Sequence, residues 1–374
     1  MTEEGLKLNM TVAGNAALDA DLEGIVEIEL PDSVTVTSGS FFRDFIVEDG
    51  PITHGYKHTV MLDASSYQRG MEDYIRGLKF QLKPGGGNIN TAVSLIARSD
   101  FDSDVRITIL DMSQNDPVIT HHLDDSEILH HFFGYRPSPV NAVIGGHHDK
   151  IILKGPRLPR KQLLDEHRAV IDDVIEQSDG LIVNGAKDED FVEALLQSAQ
   201  RRNIPVFFMV TPSLDKDFVY ERVLPAGVTL FGYEDLVRIN GYNPMEFDKA
   251  GLRNVALEHM RQIRADSLSN GHPLIVTLGS GGVLYSYDGT KIYRTGLTEE
   301  HGRRVGTSIK SRFGKTSGAG DTFLGDFARQ YLERAQRQVD LNMTTLVQRA
   351  SKAAIRHLGH EGRIQYHSFF VSEV

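Results

Sequence analysis

Residues 315–325 read Lys315-Thr316-Ser317-Gly318-Ala319-Gly320-Asp321-Thr322-Phe323-Leu324-Gly325. Beyond the glycines, Phe323, Leu324, Phe327, Ala328, Tyr331 and Leu332 recur at helical spacing, which predicts an amphipathic helix from Asp321 to about Arg334. The small residues bring backbone N–H groups close together where that helix begins. Unpaired N–H groups and the helix dipole suit such a place to an anion. Asp321 is then a carboxylate held where negative charge is expected, and a fitting task is to accept a proton from a hydroxyl attacking a bound phosphate. A plain structural account stands beside this one, a glycine turn followed by a first-turn acid. Local chemistry alone leaves both open.

Two neighbouring features favour the anion. His301 to Lys315 carries Arg303, Arg304, Lys310, Arg312 and Lys315 with no acid, inside a chain of 51 acids and 40 Lys and Arg. Taken one by one these cations read as a solvated loop; taken together they suit phosphates. Upstream, Val276-Thr277-Leu278-Gly279-Ser280-Gly281-Gly282 runs a strand into a glycine-rich turn. In open α/β sheets ligands collect at the carboxyl ends of strands.

The other glycine-rich segment is Pro84-Gly85-Gly86-Gly87-Asn88-Ile89-Asn90-Thr91-Ala92. Glycines there admit a ligand close to the backbone, and Asn90 can both donate to and accept from hydroxyls. Leu8 to Ala13 predicts a strand that ends at Gly14-Asn15, and Asp19 beyond it offers a carboxylate for paired hydroxyls.

Between these landmarks the chain alternates. Strands are expected at Val105–Leu110, Ile151–Leu153, Gly180–Val183, Val206–Val210, Val228–Phe231 and Leu274–Thr277. Helices are expected at Asn90–Arg98, Lys161–Glu176, Asp188–Arg201, Leu252–Ala265 and Thr345–Leu358. Such alternation implies a mostly parallel sheet covered on both faces. Residues 21–58 are β-type with polar residues at every second position, too few for a core of their own. They read as a lid, residues 20–60 together with about 138–155, on a single domain spanning 1–374.

The remaining signals mostly exclude. The formal charge of −11 argues against a general grip on nucleic-acid phosphates. No run approaches the roughly 20 apolar residues of a membrane helix. Met1–Asn9, with Glu3 and Glu4, does not read as a signal peptide, and cysteine is absent, so the expected location is the cytoplasm. No Gly-x-Ser-x-Gly elbow and no Gly-x-Gly-x-x-Gly after the first strand argue for a hydrolase or a dehydrogenase. The pairs His121-His122, His130-His131 and His147-His148 read as solvated or packing histidines rather than metal ligands. Asp111, Asp116, Asp124 and Asp125 read as acids of solvated loops.

Taken in order, these segments resemble the ribokinase (PfkB-type) family of carbohydrate and nucleoside kinases. Gly14–Asp19 is similar to the family's first strand and its substrate-binding acid, and Pro84–Ala92 to its Gly-Gly…Asn-x-Ala signature. Val276–Gly282 is similar to the nucleotide-side strand and turn, and Thr316–Asp321 to the Gly-Ala-Gly-Asp signature. The resemblance implies a three-layer α/β core with a β-sheet lid. It implies acceptor contacts from Asn15, Asp19, Gly85, Gly86 and Asn90, and nucleotide contacts from Thr277, Gly279, Gly282, Lys315 and Thr316. It further implies an anion hole at Gly318, Ala319 and Gly320, Asp321 as base, and ATP with Mg2+ as donor.

The chain also departs from the pattern. Asn88 replaces a small residue or proline, which would alter the acceptor pocket. Asp19 and Gly85 stand 66 residues apart, so the lid is long and could serve a homodimer. The Asn-x-x-Glu motif on the magnesium side falls on Gly232-Tyr233-Glu234-Asp235, leaving Asp235 and Glu234 as its only acids. Asp326 takes a position where a small residue is usual. Lys315 replaces an acid that helps bind a monovalent cation in relatives, and its ammonium could supply that charge directly. The expected function is ATP-dependent phosphorylation of a sugar or sugar-like hydroxyl. A nucleoside kinase, using Phe41, Phe42 or Phe45 of the lid, and a non-catalytic binding protein are the alternatives.

Overall fold

The computed structural model describes residues 6–21, 45–47, 57–62, 82–96, 103–113, 115–134, 140–145, 150–154, 162–266, 268–269, 271–287, 289–310, 318–359 and 365–374. The chain opens with β1 (Leu6–Gly14), β2 (Ala17–Asp21), β3 (Phe45–Val47), β4 (Lys57–Leu62) and β5 (Leu82–Gly85), then helix α1 (Gly87–Ile96). Next come β6 (Ser103–Asp111), α2 (Pro117–Asp125), β7 (Leu129–Phe132), β8 (Val140–Gly145) and β9 (Lys150–Lys154). The regular α/β part follows as α3 (Gln162–Glu176), β10 (Gly180–Asn184), α4 (Glu189–Arg202), β11 (Val206–Met209), β12 (Val228–Gly232) and α5 (Tyr233–Ile239). It continues with α6 (Lys249–Ala265), β13 (Leu274–Thr277), β14 (Val283–Ser286), β15 (Tyr293–Leu297) and α7 (Glu299–Lys310). The last elements are α8 (Ala319–Gln336), α9 (Met343–His357) and β16 (Phe369–Glu373).

One sheet holds ten strands in the order β16-β15-β14-β13-β12-β11-β10-β1-β6-β7. From β7 to β13 every pairing is parallel, and β14, β15 and β16 add an antiparallel edge. The central parallel strands β10 to β13 are nearly all apolar because helices cover both faces: β10, Gly-Leu-Ile-Val-Asn, is buried at every position. Two apolar clusters result. Met10, Val12 and Ile182 join Ile89, Leu95, Phe323, Phe327 and Leu346 under α1, α8 and α9. Leu181, Val183, Phe208, Phe231 and Val276 join Phe191, Leu195, Leu252 and Met260 under α4 and α6.

Among the described residues a second sheet has six strands in the order β3-β4-β9-β8-β2-β5. It takes in β2 and β5, the strands that lead out of the first and into the second glycine-rich landmark. Phe41 and Phe42 lie outside the described residues, as do the side chains of Phe45 and Asp19.

Two readings of local structure need correction. The basic stretch from His301 is helical as far as Lys310, not a loop, and Arg303 pairs with Glu299 at 3.3 Å on its exposed surface. Helix α1 starts at Gly87, three residues before Asn90, because glycines at its first turn hide the helical pattern.

Candidate active site

Register places the site. Gly14, the last residue of β1, pairs with Asn184 of β10 on one side and with Asp111 of β6 on the other. Three neighbouring strands therefore deliver Asn184, Asn15 and Asp111 to one rim, at the carboxyl end of the parallel sheet. Helices α1 and α8 begin at this rim, so their free N–H groups face the same space.

Asp321 stands in the first turn of α8, whose N-cap, Gly318, has a φ of 90°. That left-handed conformation suits glycine, and a side chain at Gly318 would also lie within 2.9 Å of His357 Nε2. The Asp321 carboxylate is gripped through both oxygens. Asn90 Nδ2 donates to Oδ2 at 3.1 Å, and Asn184 Nδ2 donates to Oδ1 at 2.9 Å. The same amide of Asn184 reaches Thr91 Oγ1 at 2.8 Å and Gly87 O at 3.1 Å. Three acceptors share two hydrogens, which fixes the amide's orientation. Gly87 has to be small here, since a Cβ would sit 2.6 Å from Asn184 Oδ1.

Asn15 is buried, at 5% exposure. It donates from Nδ2 to Gly185 O at 3.1 Å, while its Oδ1 is buried without a partner. An unpaired buried carbonyl beside a glycine cradle is an acceptor awaiting a donor, such as a hydroxyl. Gly85 ends β5 opposite Ala17, and Gly86 follows with a φ of 97°. The backbone of Asp19 pairs with Lys83 and Asn141 in the second sheet.

Asp111 is fully buried, which corrects its reading as a solvated acid. It accepts from Asn88 Nδ2 at 2.6 Å, from Ser113 N at 2.7 Å, and from the Ser113 hydroxyl and Ala16 N. Burial pushes its carboxyl above the ordinary value, while the bonds from Ser113, Asn88 and Ala16 pull it back. Asn88 is likewise fully buried, and its side chain is held by Asp111. Asp116 caps α2, and Asp124 and Asp125 lie in that helix's last turn. Asp326 is also buried, at 3%, and accepts from Gln330.

On the nucleotide side, Thr277 ends β13 and donates its hydroxyl to Phe231 O at 3.3 Å. Gly279 and Gly282 shape the turn with φ values of 57° and 92°. Glu234 and Asp235 occupy the first turn of α5, at the end of β12, and are half-buried. No cluster of three or more His, Asp or Glu side chains suited to a metal forms among the described residues. Lys315 and Thr316 lie outside the described residues.

The structure thus brings together Asn15, Asn90 and Asp321 with the glycines at 86–87 and 318–320. Asn184 and Thr91 belong to the same ensemble and were not read as site residues in the sequence, and Asp111, read there as a loop acid, joins them. Asn184 carried one signal, an asparagine closing an otherwise apolar parallel strand just before a glycine.

No family model matches the chain, and no curated protein matches it by sequence. Solved structures do. An adenosine kinase from Schistosoma mansoni in complex with 2-fluoroadenosine covers 94% of this chain and 96% of its own, with a TM-score of 0.62 at 14% identity. The chain has the ribokinase-like fold. A ribokinase from Giardia lamblia matches 95% of each chain with a TM-score of 0.56 at 16% identity. An Anopheles gambiae adenosine kinase in complex with P1,P4-di(adenosine-5) tetraphosphate covers 94% of this ribokinase-like chain and 96% of its own, with a TM-score of 0.60 at 14% identity. Among the described residues no helix is long and apolar enough to cross a membrane.

Proposed function

We propose that the protein is a phosphotransferase that moves the γ-phosphate of ATP to a hydroxyl of a sugar or sugar-like molecule. The observation that carries this reading is the two-amide grip on Asp321 at the start of α8. A helix cap alone needs no such grip. Two amides that each donate to one carboxylate oxygen aim the group at the rim, as a base requires.

The chemistry follows from the rim. The acceptor hydroxyl loses its proton to Asp321 as its oxygen bonds to the γ-phosphorus, and the bond from that phosphorus to the bridging oxygen breaks to release ADP. Backbone N–H groups of Gly318, Ala319 and Gly320 hold the charge of the transferring phosphoryl group. Asn15, Gly85, Gly86 and Asn90, with Asp19, orient the acceptor. The turn at Thr277, Gly279 and Gly282, with Lys315 and Thr316, takes the nucleotide. Mg2+ typically keeps several waters and takes one or two carboxylates besides phosphate oxygens, and Glu234 and Asp235 fit that demand through water. Bound there it would neutralise phosphate charge. The second sheet acts as a lid on a single domain, limiting hydrolysis of ATP by water.

A nucleoside acceptor is the second reading, supported by the higher TM-scores of the adenosine kinases, 0.62 and 0.60 against 0.56. The test is ADP release from Mg-ATP across a panel of sugars, sugar phosphates and nucleosides, with Asp321→Asn as control. Acceptor-dependent release that falls about 10²–10⁴-fold in the variant supports the reading. Full activity of Asp321→Asn removes Asp321 as base. Nucleotide binding with no acceptor response across the panel favours a non-catalytic binding protein.

A further inference from the structure

The glycine turn after β13 is flanked by two guanidinium groups. Arg253 reaches it from α6: a Cβ on Gly281 would lie 2.6 Å from Arg253 Nε and 2.8 Å from its Cζ. Arg294 reaches it from β15, donating to Gly281 O from Nε at 3.3 Å and from Nη2 at 3.0 Å. The second cation also lies over the Phe370 ring, 5.6 Å from its centre.

Neither arginine pairs with a carboxylate among the described residues, although the chain has 51 acids. Arg253 makes one long hydrogen bond, from Nη2 to Ser280 Oγ at 3.3 Å, and its Nε is buried with no partner. Leaving a buried donor of a charged group unsatisfied is costly, and two cations converging on one residue repel each other. An anion beside the two guanidinium groups would offset their repulsion. Arginine is the side chain suited to that task, because its planar fork matches phosphate oxygens.

The place lies on the same rim of the sheet as the anion turn. Gly320, in the anion turn, abuts Met209 at the end of β11. Met209 pairs with Leu230 of β12, and Gly232 at the end of β12 pairs with Thr277 of β13. The arginine pair is therefore two strand spacings along the same rim, about 10 Å.

We propose that Arg253 and Arg294 form an oxyanion site at Gly281 that takes the diphosphate of the nucleotide donor; the proposal rests on the kinase reading and extends it. Arg294 holds the turn through the Gly281 carbonyl, and Arg253 makes the direct contact.

The experiment is calorimetric titration of the full chain with Mg-ADP at low and high salt, for wild type, Arg253→Met and Arg253→Lys. Melting temperatures confirm that each variant is folded. Arg253→Met is expected to weaken binding about tenfold or more and to flatten its salt dependence. Arg253→Lys keeps the charge and is expected to recover most of the affinity and the salt dependence. Unchanged binding in Arg253→Met overturns the proposal, as does an equal loss in Arg253→Lys, which marks a packing role. Wild type that binds no Mg-ADP overturns the kinase reading itself, and the proposal with it.

Discussion

Asn184 donates from Nδ2 to Asp321 Oδ1 at 2.9 Å, linking the carboxyl end of β10 to the first turn of α8. The bond crosses 137 residues of sequence and joins the two elements on which the proposed chemistry depends. If Asn184 orients the base, Asn184→Ala removes one charge-assisted hydrogen bond, worth about 1.5–3 kcal/mol. The expected result is a fall in kcat of about 10- to 100-fold with KM for acceptor and for Mg-ATP little changed. Steady-state kinetics on the best acceptor check it. A rise in KM with kcat intact would show that Asn184 binds substrate and does not position the base.

Gly87 acts on the same bond from the other side. A methyl group there meets Asn184 Oδ1 at 2.6 Å and Cγ at 2.8 Å. Gly87→Ala should destabilise the fold by about 1–3 kcal/mol through overpacking and lower kcat to the level of Asn184→Ala. Because both changes strike one contact, the double variant should lose little more activity than either single one. Additive losses in kcat would mean that the two residues act separately.

The legible parts of this molecule are those with local periodicity. The apolar runs that became β1, β10, β11, β12 and β13 were readable from composition alone, and the stripe from Phe323 to Leu332 gave away α8. The glycine segments at 84–87 and 318–320 stood out because so few residue types permit close backbone approach. What the spacing could not show is register. That Gly14 lies between Asn184 and Asp111 follows from strand order, and strand order follows from packing across the whole sheet. Asp111 misled for a related reason. A carboxylate at a strand end looks like a loop acid until its donors, Ala16 and Asn88, arrive from distant segments. The cations from Arg303 to Lys310 hid a helix because few apolar residues accompany them.

Lys315 carries a prediction that comes from the sequence. An ammonium in place of the usual acid beside the anion turn supplies the positive charge that a monovalent cation would otherwise bring. Acceptor-dependent ADP release should be the same in potassium as in a bulky inert cation at constant ionic strength. A several-fold rise with potassium would overturn this. Lys315→Asp, by contrast, should lower activity in the inert cation.

Asp111 gives the site a pH signature in stability. Burial, the largest influence, raises its carboxyl above the ordinary value of 3.8. Between the unfolded value and the raised folded value, the native state holds a proton that the unfolded chain has released. The native state is therefore favoured on the acid side, and the stabilisation is lost as pH rises through the folded value. Asp111→Asn cannot titrate, so the stability difference between wild type and variant should shrink from about pH 4 upward. The variant should still be the less stable protein at neutral pH. Its amide must offer a donor to at least one of Ala16 N, Ser113 N or Asn88 Nδ2, and none of these can accept. Denaturant unfolding of both proteins across this range decides the matter. A difference that grows with pH would mean that the four donated bonds outweigh burial and hold Asp111 ionised well below its ordinary value.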